Sequence, residues 1–271
     1  MITTLRLISA TDKFYCETHK SSLGFIMCKK FFSIKKFKVL LFLMNHSDRI
    51  YMINKNLEEF HMLNAVLFDL DGTLIDTNEL IIDSFKHTFK VFSKPEPDRE
   101  TIIEWFGEPL AFTISNFFDN VDEAIQVYRD FNLKYHDERI SIYNNVEMIL
   151  KTLKEDGYKL GVVTSKNKST AFKGLNRFNI SHYFDVLIGS DDVKNHKPHE
   201  EPILNACKFL NVKPSESIMI GDSIYDIISG RNAGTKTCGV LYSFMKDKLV
   251  NVNADYYISD LIELVDIVSS R

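Results

Sequence analysis

The stretch "AVLFDLDGTLIDTNEL", residues 65–80, ends an apolar run at Asp69, sets a second aspartate at 71 and follows it with Gly72 and Thr73. Side chains two apart on a strand point the same way, so Asp69 and Asp71 can converge just past its end. Paired carboxylates there can hold a cation, attack a phosphoryl group or move a proton. An Asp-Gly pair is also an ordinary turn signal, and on that reading the two acids only solvate a loop. Further polar signals follow in order: Thr164 and Ser165 end "LGVV", Lys197 lies in "NHKPHEEP", and Asp222 ends "SIMIG" with Asp226 one helical turn on.

Elements must bring these residues to one place. Ala65 to Phe68 reads as a strand covered on both faces, because it has no polar alternation. After about residue 145, apolar strands are expected at 158–164, 184–190, 216–222 and 235–241, with helices at 168–178, 199–210 and 224–233. That alternation implies an α/β fold, a Rossmann-like parallel sheet, and such sheets bind ligands at the carboxyl ends of their strands. Residues 79–145 are helical in character, with Leu80, Ile81, Phe85, Phe89 and Phe92 recurring at three and four and turn-like breaks at "SKPEPD" and "FGEP". They read as an inserted four-helix cap whose phenylalanines form its own core, leaving 62–78 and 146–271 as the sheet-based core.

The 271 residues divide unevenly in charge. Residues 1–61 carry 10 Lys and Arg against 5 Asp and Glu, a net of +5, and the remainder carries 23 against 32, a net of −9. An acidic body argues against a nucleic-acid surface. Cys16, Cys28, Cys207 and Cys238 show neither a disulfide framework nor a zinc spacing, which fits a reducing cytoplasm. The apolar run Val39 to Met44 is too short for a spanning helix or a signal segment, so no membrane association is expected. Residues 1–61 are expected to be an extension, since a chain starting at Met62 would open directly on the first core strand.

The DxDGT at 69–73, the strand ending in Thr164, the Lys197-Pro198 pair and "GDSIYD" at 221–226 together resemble the four ordered motifs of the haloacid dehalogenase superfamily of phosphohydrolases. The helical insert between the first two motifs resembles that superfamily's first cap class. Within it, "TNELIIDSFKHTF", "VYRDFN" with "HDERI", and "SDDVKNHKPHEEP" are similar to the PpaX-type pyrophosphatases, close relatives of phosphoglycolate phosphatases.

The chemistry also follows from the residues. Asp69 is the expected nucleophile, forming an aspartyl-phosphate. Magnesium takes oxygen ligands and keeps several waters, so Asp69, Asp222 and the Asp71 carbonyl suffice to hold Mg2+. The Asp71 side chain is then free to act as acid and base. Asp226 is either a further support for the metal or a helix-face charge. Lys197 would neutralise the transferring group. Thr164 offers a hydroxyl to phosphate, though threonine is also a good strand former; Thr73 and Ser165 are placed with it as substrate contacts. Arg129, Lys134 and His136 in the cap are expected either to meet an anionic leaving group or to be surface charge. The resemblance to PpaX-type enzymes implies pyrophosphate as the favoured substrate. A small phosphomonoester such as phosphoglycolate, a phosphoglucomutase and a non-catalytic binding protein are the alternatives.

Overall fold

The computed structural model describes residues 63–269, preceded by five short backbone strands. The chain divides into two units, residues 1–60 and 61–271. In the first, β1 (Thr4–Ile8) pairs antiparallel with β2 (Lys13–Glu17), and β3 (Phe25–Ile26), β4 (Leu41–Met44) and β5 (Ile50–Ile53) form an antiparallel sheet. The remainder of 1–61, and with it the expected status as an extension, lies outside the described residues.

The second unit opens with β6 (Ala65–Phe68) and the two-residue β7 (Ile75–Asp76), followed by four helices, α1 (Asn78–Val91), α2 (Arg99–Glu104), α3 (Leu110–Ser115) and α4 (Val121–Arg139). β8 (Ser141–Ile142) returns antiparallel to β7, closing the insert at its base. Then come α5 (Val146–Glu155), β9 (Lys159–Val163), α6 (Lys168–Arg177), β10 (Val186–Ile188), α7 (Glu201–Leu210), β11 (Ser217–Gly221), α8 (Ile224–Ala233), β12 (Lys236–Val240) and β13 (Tyr256–Ile258).

Six of these strands form one parallel sheet in the order β10-β9-β6-β11-β12-β13. β6 is buried along its whole length because both faces are covered: Val66 and Phe68 enter one apolar layer, Ala65 and Leu67 the other. The chain leaves β6 toward β9 on one side and later resumes on its other side with β11, which makes the edge beside β6 a topological switch point. Phe68 stands opposite Val162 and Ile220, so Asp69, Thr164 and Asp222 leave the sheet within one residue of the same level. The α/β sheet and the four-helix cap expected from sequence are both present. β13, α5 and the β7–β8 pair are additional.

The cap has its own aromatic interior. Phe85 meets Tyr128 edge-on with ring centroids 4.9 Å apart, and Phe89 meets Phe118 at the same distance. Leu80, at the start of α1, packs instead into the sheet's apolar layer. Among the described residues no helix is long and apolar enough to cross a membrane.

Candidate active site

Lys197 is the hub of the strand-end cluster. Its ammonium donates to Asp69 Oδ1 at 2.7 Å, to Asp226 Oδ1 at 2.5 Å and to the Val163 carbonyl at 3.1 Å. Those three bonds use every hydrogen it has. The second oxygen of Asp226 accepts from the Ser223 backbone N–H at 3.0 Å and the Ser223 hydroxyl at 2.6 Å. Ser223 is the N-cap of α8 and Asp226 stands three residues on, so "GDSIYD" folds as a capping box. One acid thus starts the helix and anchors the lysine.

Carboxylate oxygens of Asp69, Asp222 and Asp226 lie within 4.8 Å of one another, and all three residues are buried. Three buried acids face one ammonium, an imbalance that a bound cation would relieve. Burial pushes Asp69 up to about 7 against the opposing charge of Lys197, and pushes Asp222 well above the usual carboxylate range, with Asp69 and Asp226 adding to it. Burial acts the other way on Lys197, but the charges of Asp226 and Asp69 outweigh it and raise its pKa. The ammonium therefore stays charged, and the shortage of positive charge falls on the two acids it satisfies least.

The donor set fits a hard divalent cation. Among the described residues Asp226 has both oxygens occupied, whereas Asp69 has one oxygen bonded to Lys197 and one without a hydrogen bond, and the Asp222 carboxylate accepts only a long 3.4 Å contact from Ser243. Gly72 makes room for the Asp222 carboxylate: a Cβ there would sit 2.2 Å from Oδ2, and its φ of +82° also favours glycine. The glycine of the opening motif is therefore a steric requirement of the acid at 222 as well as a turn residue.

Asp71 faces a separate cation. Lys166 contacts its two oxygens at 2.9 and 2.8 Å, and the Thr77 hydroxyl donates to one of them at 2.8 Å. Lys166 was not among the residues expected from sequence; its position two past the strand-end Thr164, in "TSK", was the available signal. Thr164 is buried, and its hydroxyl accepts from the Lys166 backbone N–H at 3.1 Å. Thr73 is buried, with the only buried side-chain oxygen among the described residues that lacks a partner.

The cap meets the core through its α2–α3 loop, residues 105–109. Ser165 donates to the Gly107 carbonyl at 2.9 Å, and Tyr225 donates to Glu108 at 2.9 Å. Gly107 has φ +86°, and a Cβ there would lie 2.7 Å from the Tyr225 ring and 2.8 Å from the Ser223 hydroxyl. Burial, with Glu108 beside it, pushes the Tyr225 hydroxyl up to about 12. Glu108 lies in "WFGEPL", residues 105–110, which resembles the cap loop that faces the core site in relatives, but its pairing with Tyr225 was not legible because 117 positions separate the two.

The three cap residues read from sequence as either leaving-group contacts or surface charge are placed differently from the core set. α4 buries Ala124, Tyr128, Asn132 and His136 at every fourth position. Arg129 and Lys134 fall off that face and are exposed, with the Lys134 ammonium 5.0 Å from the Tyr135 ring centre. His136 is buried, 2.8 Å from Asp137, and burial pushes its pKa down. No hydrogen bond or ion pair joins any of the three to the carboxylate cluster among the described residues.

The haloacid dehalogenase-like hydrolase profile matches residues 66–240. The chain is 43% identical over 211 residues to the pyrophosphatase PpaX of Halalkalibacterium halodurans, covering 77% of this chain and 98% of that protein. A Clostridium perfringens protein that also bears the PpaX pyrophosphatase name is 47% identical over 209 residues, 76% of this chain and 98% of the relative. A haloacid dehalogenase-like family hydrolase from Streptococcus pneumoniae superposes with a TM-score of 0.68 at 28% identity, covering 76% of this chain and 98% of the other. With the strand-end acids, the central lysine and the inserted cap all lying inside the matched span, the chain belongs to the haloacid dehalogenase-like hydrolases.

Proposed function

We propose that the protein hydrolyses inorganic pyrophosphate to phosphate, with Mg2+ and with Asp69 as the transient phosphoryl acceptor. The observation that carries the chemistry is the cluster of Asp69, Asp222 and Asp226 around the single ammonium of Lys197. The observation that favours pyrophosphate is that relatives 40–47% identical across nearly their whole length bear the PpaX pyrophosphatase name.

Asp222 and the Lys197-bonded oxygen of Asp69, which keeps a second lone pair, would hold the cation, which would supply positive charge to the phosphoryl oxygens. Lys197 keeps one oxygen of Asp69 fixed and adds charge where the transferring group passes. The free oxygen of Asp69 attacks phosphorus in line; an Asp69–phosphorus bond forms and the bridging oxygen leaves with the first phosphate. Asp71, held by Lys166 and Thr77, donates a proton to that oxygen. It then takes a proton from the water that cleaves the phosphoryl-Asp69, releasing the second phosphate and restoring both acids. Asp226 and Ser223 keep Lys197 aimed.

A phosphate-release screen over pyrophosphate, phosphoglycolate and sugar phosphates, with Mg2+ or EDTA, tests the reading. Pyrophosphate should exceed phosphoglycolate in kcat/KM by about tenfold, roughly 1.4 kcal/mol of differential transition-state binding, and EDTA should abolish both rates. A preference for phosphoglycolate would overturn the substrate and leave the nucleophile standing.

A further inference from the structure

The loop that follows β12 touches the Thr73 loop, Asp222 and the cap within four residues. The Tyr242 hydroxyl donates to the Thr73 carbonyl at 2.8 Å, reaching the loop that carries Asp69 and Asp71. The Ser243 hydroxyl lies 2.7 Å from the carbonyl of Asp222 and 3.4 Å from its Oδ2. Phe244 stacks on Phe106 of the cap at 6.4 Å, and the Arg99 guanidinium lies 5.2 Å from its ring centre. Met245 is buried in the cap's aromatic core, and its backbone N–H donates to Ser243 Oγ at 2.9 Å. None of these four residues carries a charge, and none stood out in the sequence.

We infer that Ser243 is a positioning residue for Asp222, setting the carboxylate that would hold the cation. Three observations meet here. Asp222 is the acid of the cluster with the weakest support from protein donors, since Lys197 and Ser223 are committed to Asp69 and Asp226. Oδ2 of Asp222 occupies the space that a side chain at Gly72 would fill, so the carboxylate is packed against the backbone on that flank. Ser243 is buried and supplies the only hydrogen bond from a side chain to Asp222 among the described residues, fixing its main chain and standing at its carboxylate. The hydroxyl has one proton to give, and Met245 N–H occupies an acceptor site, so its direction is set by a residue seated in the cap. Cap seating and the orientation of Asp222 thus share one oxygen. Groups that orient metal ligands commonly change affinity by about 10–100-fold when removed.

The inference rests on the proposed Mg2+ site, and the test separates the two. Metal-free enzyme, stripped with EDTA and dialysed, is titrated with MgCl2 by calorimetry, and its melting temperature is followed with and without the ion. Ser243→Ala should bind Mg2+ about tenfold more weakly. Ser243→Thr, which keeps the hydroxyl, should bind within about twofold of the parent. Ser243→Cys, close in shape but a poor donor, should follow the alanine variant, and it stands in should Ser243→Ala fail to fold. Unchanged Mg2+ affinity in both hydroxyl-free variants overturns the role of Ser243. Absence of Mg2+ binding in the parent enzyme would instead refute the metal site itself.

Discussion

The strand-end site and the cap differ in how they handle charge. At the sheet, four ionisable groups sit buried and close together, with Lys197 bonded to two acids and a capping box behind one of them. The face that α4 buries is neutral, made of Ala124, Tyr128, Asn132 and His136. The Asn132 amide donates to the Ser84 hydroxyl at 3.2 Å, and burial holds His136 toward its neutral form. Fixed charge therefore resides where a phosphoryl group would be transferred. The cap is joined to the core by apolar contacts at Leu80, Phe106 and Met245 and by hydrogen bonds from its α2–α3 loop. The strand-end site and the buried face of α4 are thus built from different materials.

The comparison breaks most decisively at Asp69. Asp69→Asn should leave the melting temperature within a few degrees of the parent and lower kcat by about 10^3-fold or more, since loss of a covalent nucleophile is not made up by binding alone. Mass spectrometry of the quenched parent enzyme should find the phosphoryl adduct on Asp69. An adduct on another residue would remove the assignment.

How much of this was readable without coordinates follows the same division. Asp69, Thr164, Lys197 and Asp222 were legible because each stands at the end of an apolar run or beside a proline, and a parallel sheet gathers such ends at one edge. Asp226 was visible as an acid, yet its double duty to Lys197 and Ser223 depends on side chains 29 and 3 residues away. Tyr225 and Ser243 had no local signature of their roles, because their partners lie far off in the chain, while Lys166 had only its place just past Thr164 and Glu108 only its place in the "FGEP" break. β13 was missed since three residues, "YYI" with Tyr256 exposed, are too short to display a period. In the cap, charge alone drew attention to Arg129 and Lys134. The face of α4 is instead set by the spacing of Tyr128, Asn132 and His136.

An intermediate effect is expected at the cap's attachment. Glu108 accepts from Tyr225 at 2.9 Å and from Thr113 at 3.0 Å, joining the α2–α3 loop to the start of α8. A hydrogen bond to a charged group contributes about 1.5–3 kcal/mol. Tyr225→Phe and Glu108→Ala should each lower kcat/KM about tenfold, and the double variant should lose little more than either alone, because both cut one contact. Additive losses would show that the two side chains act separately and that the loop is seated by something else.

The smallest effect is expected at Arg129, where the comparison can be sharpened. Arg129 is exposed, one residue or about 100° of helix away from Tyr128 on the buried face of α4. An exposed guanidinium in high-dielectric surroundings contributes little to a charge held several side chains away, and salt screens what remains. Arg129→Ala should therefore change the pyrophosphate to aryl phosphate ratio of kcat/KM by less than about twofold, well under 1.4 kcal/mol in differential binding. The measurement is best made at low and high salt, since a surface contribution fades with ionic strength and one made inside a closed cleft does not. A tenfold, salt-insensitive fall confined to pyrophosphate would mean that cap closure turns α4 far enough to bring Arg129 to the leaving phosphate. The neutral face would then describe only the arrangement seen in this structure, and the division between a charged strand-end site and the neutral buried face of α4 would fail in the working enzyme.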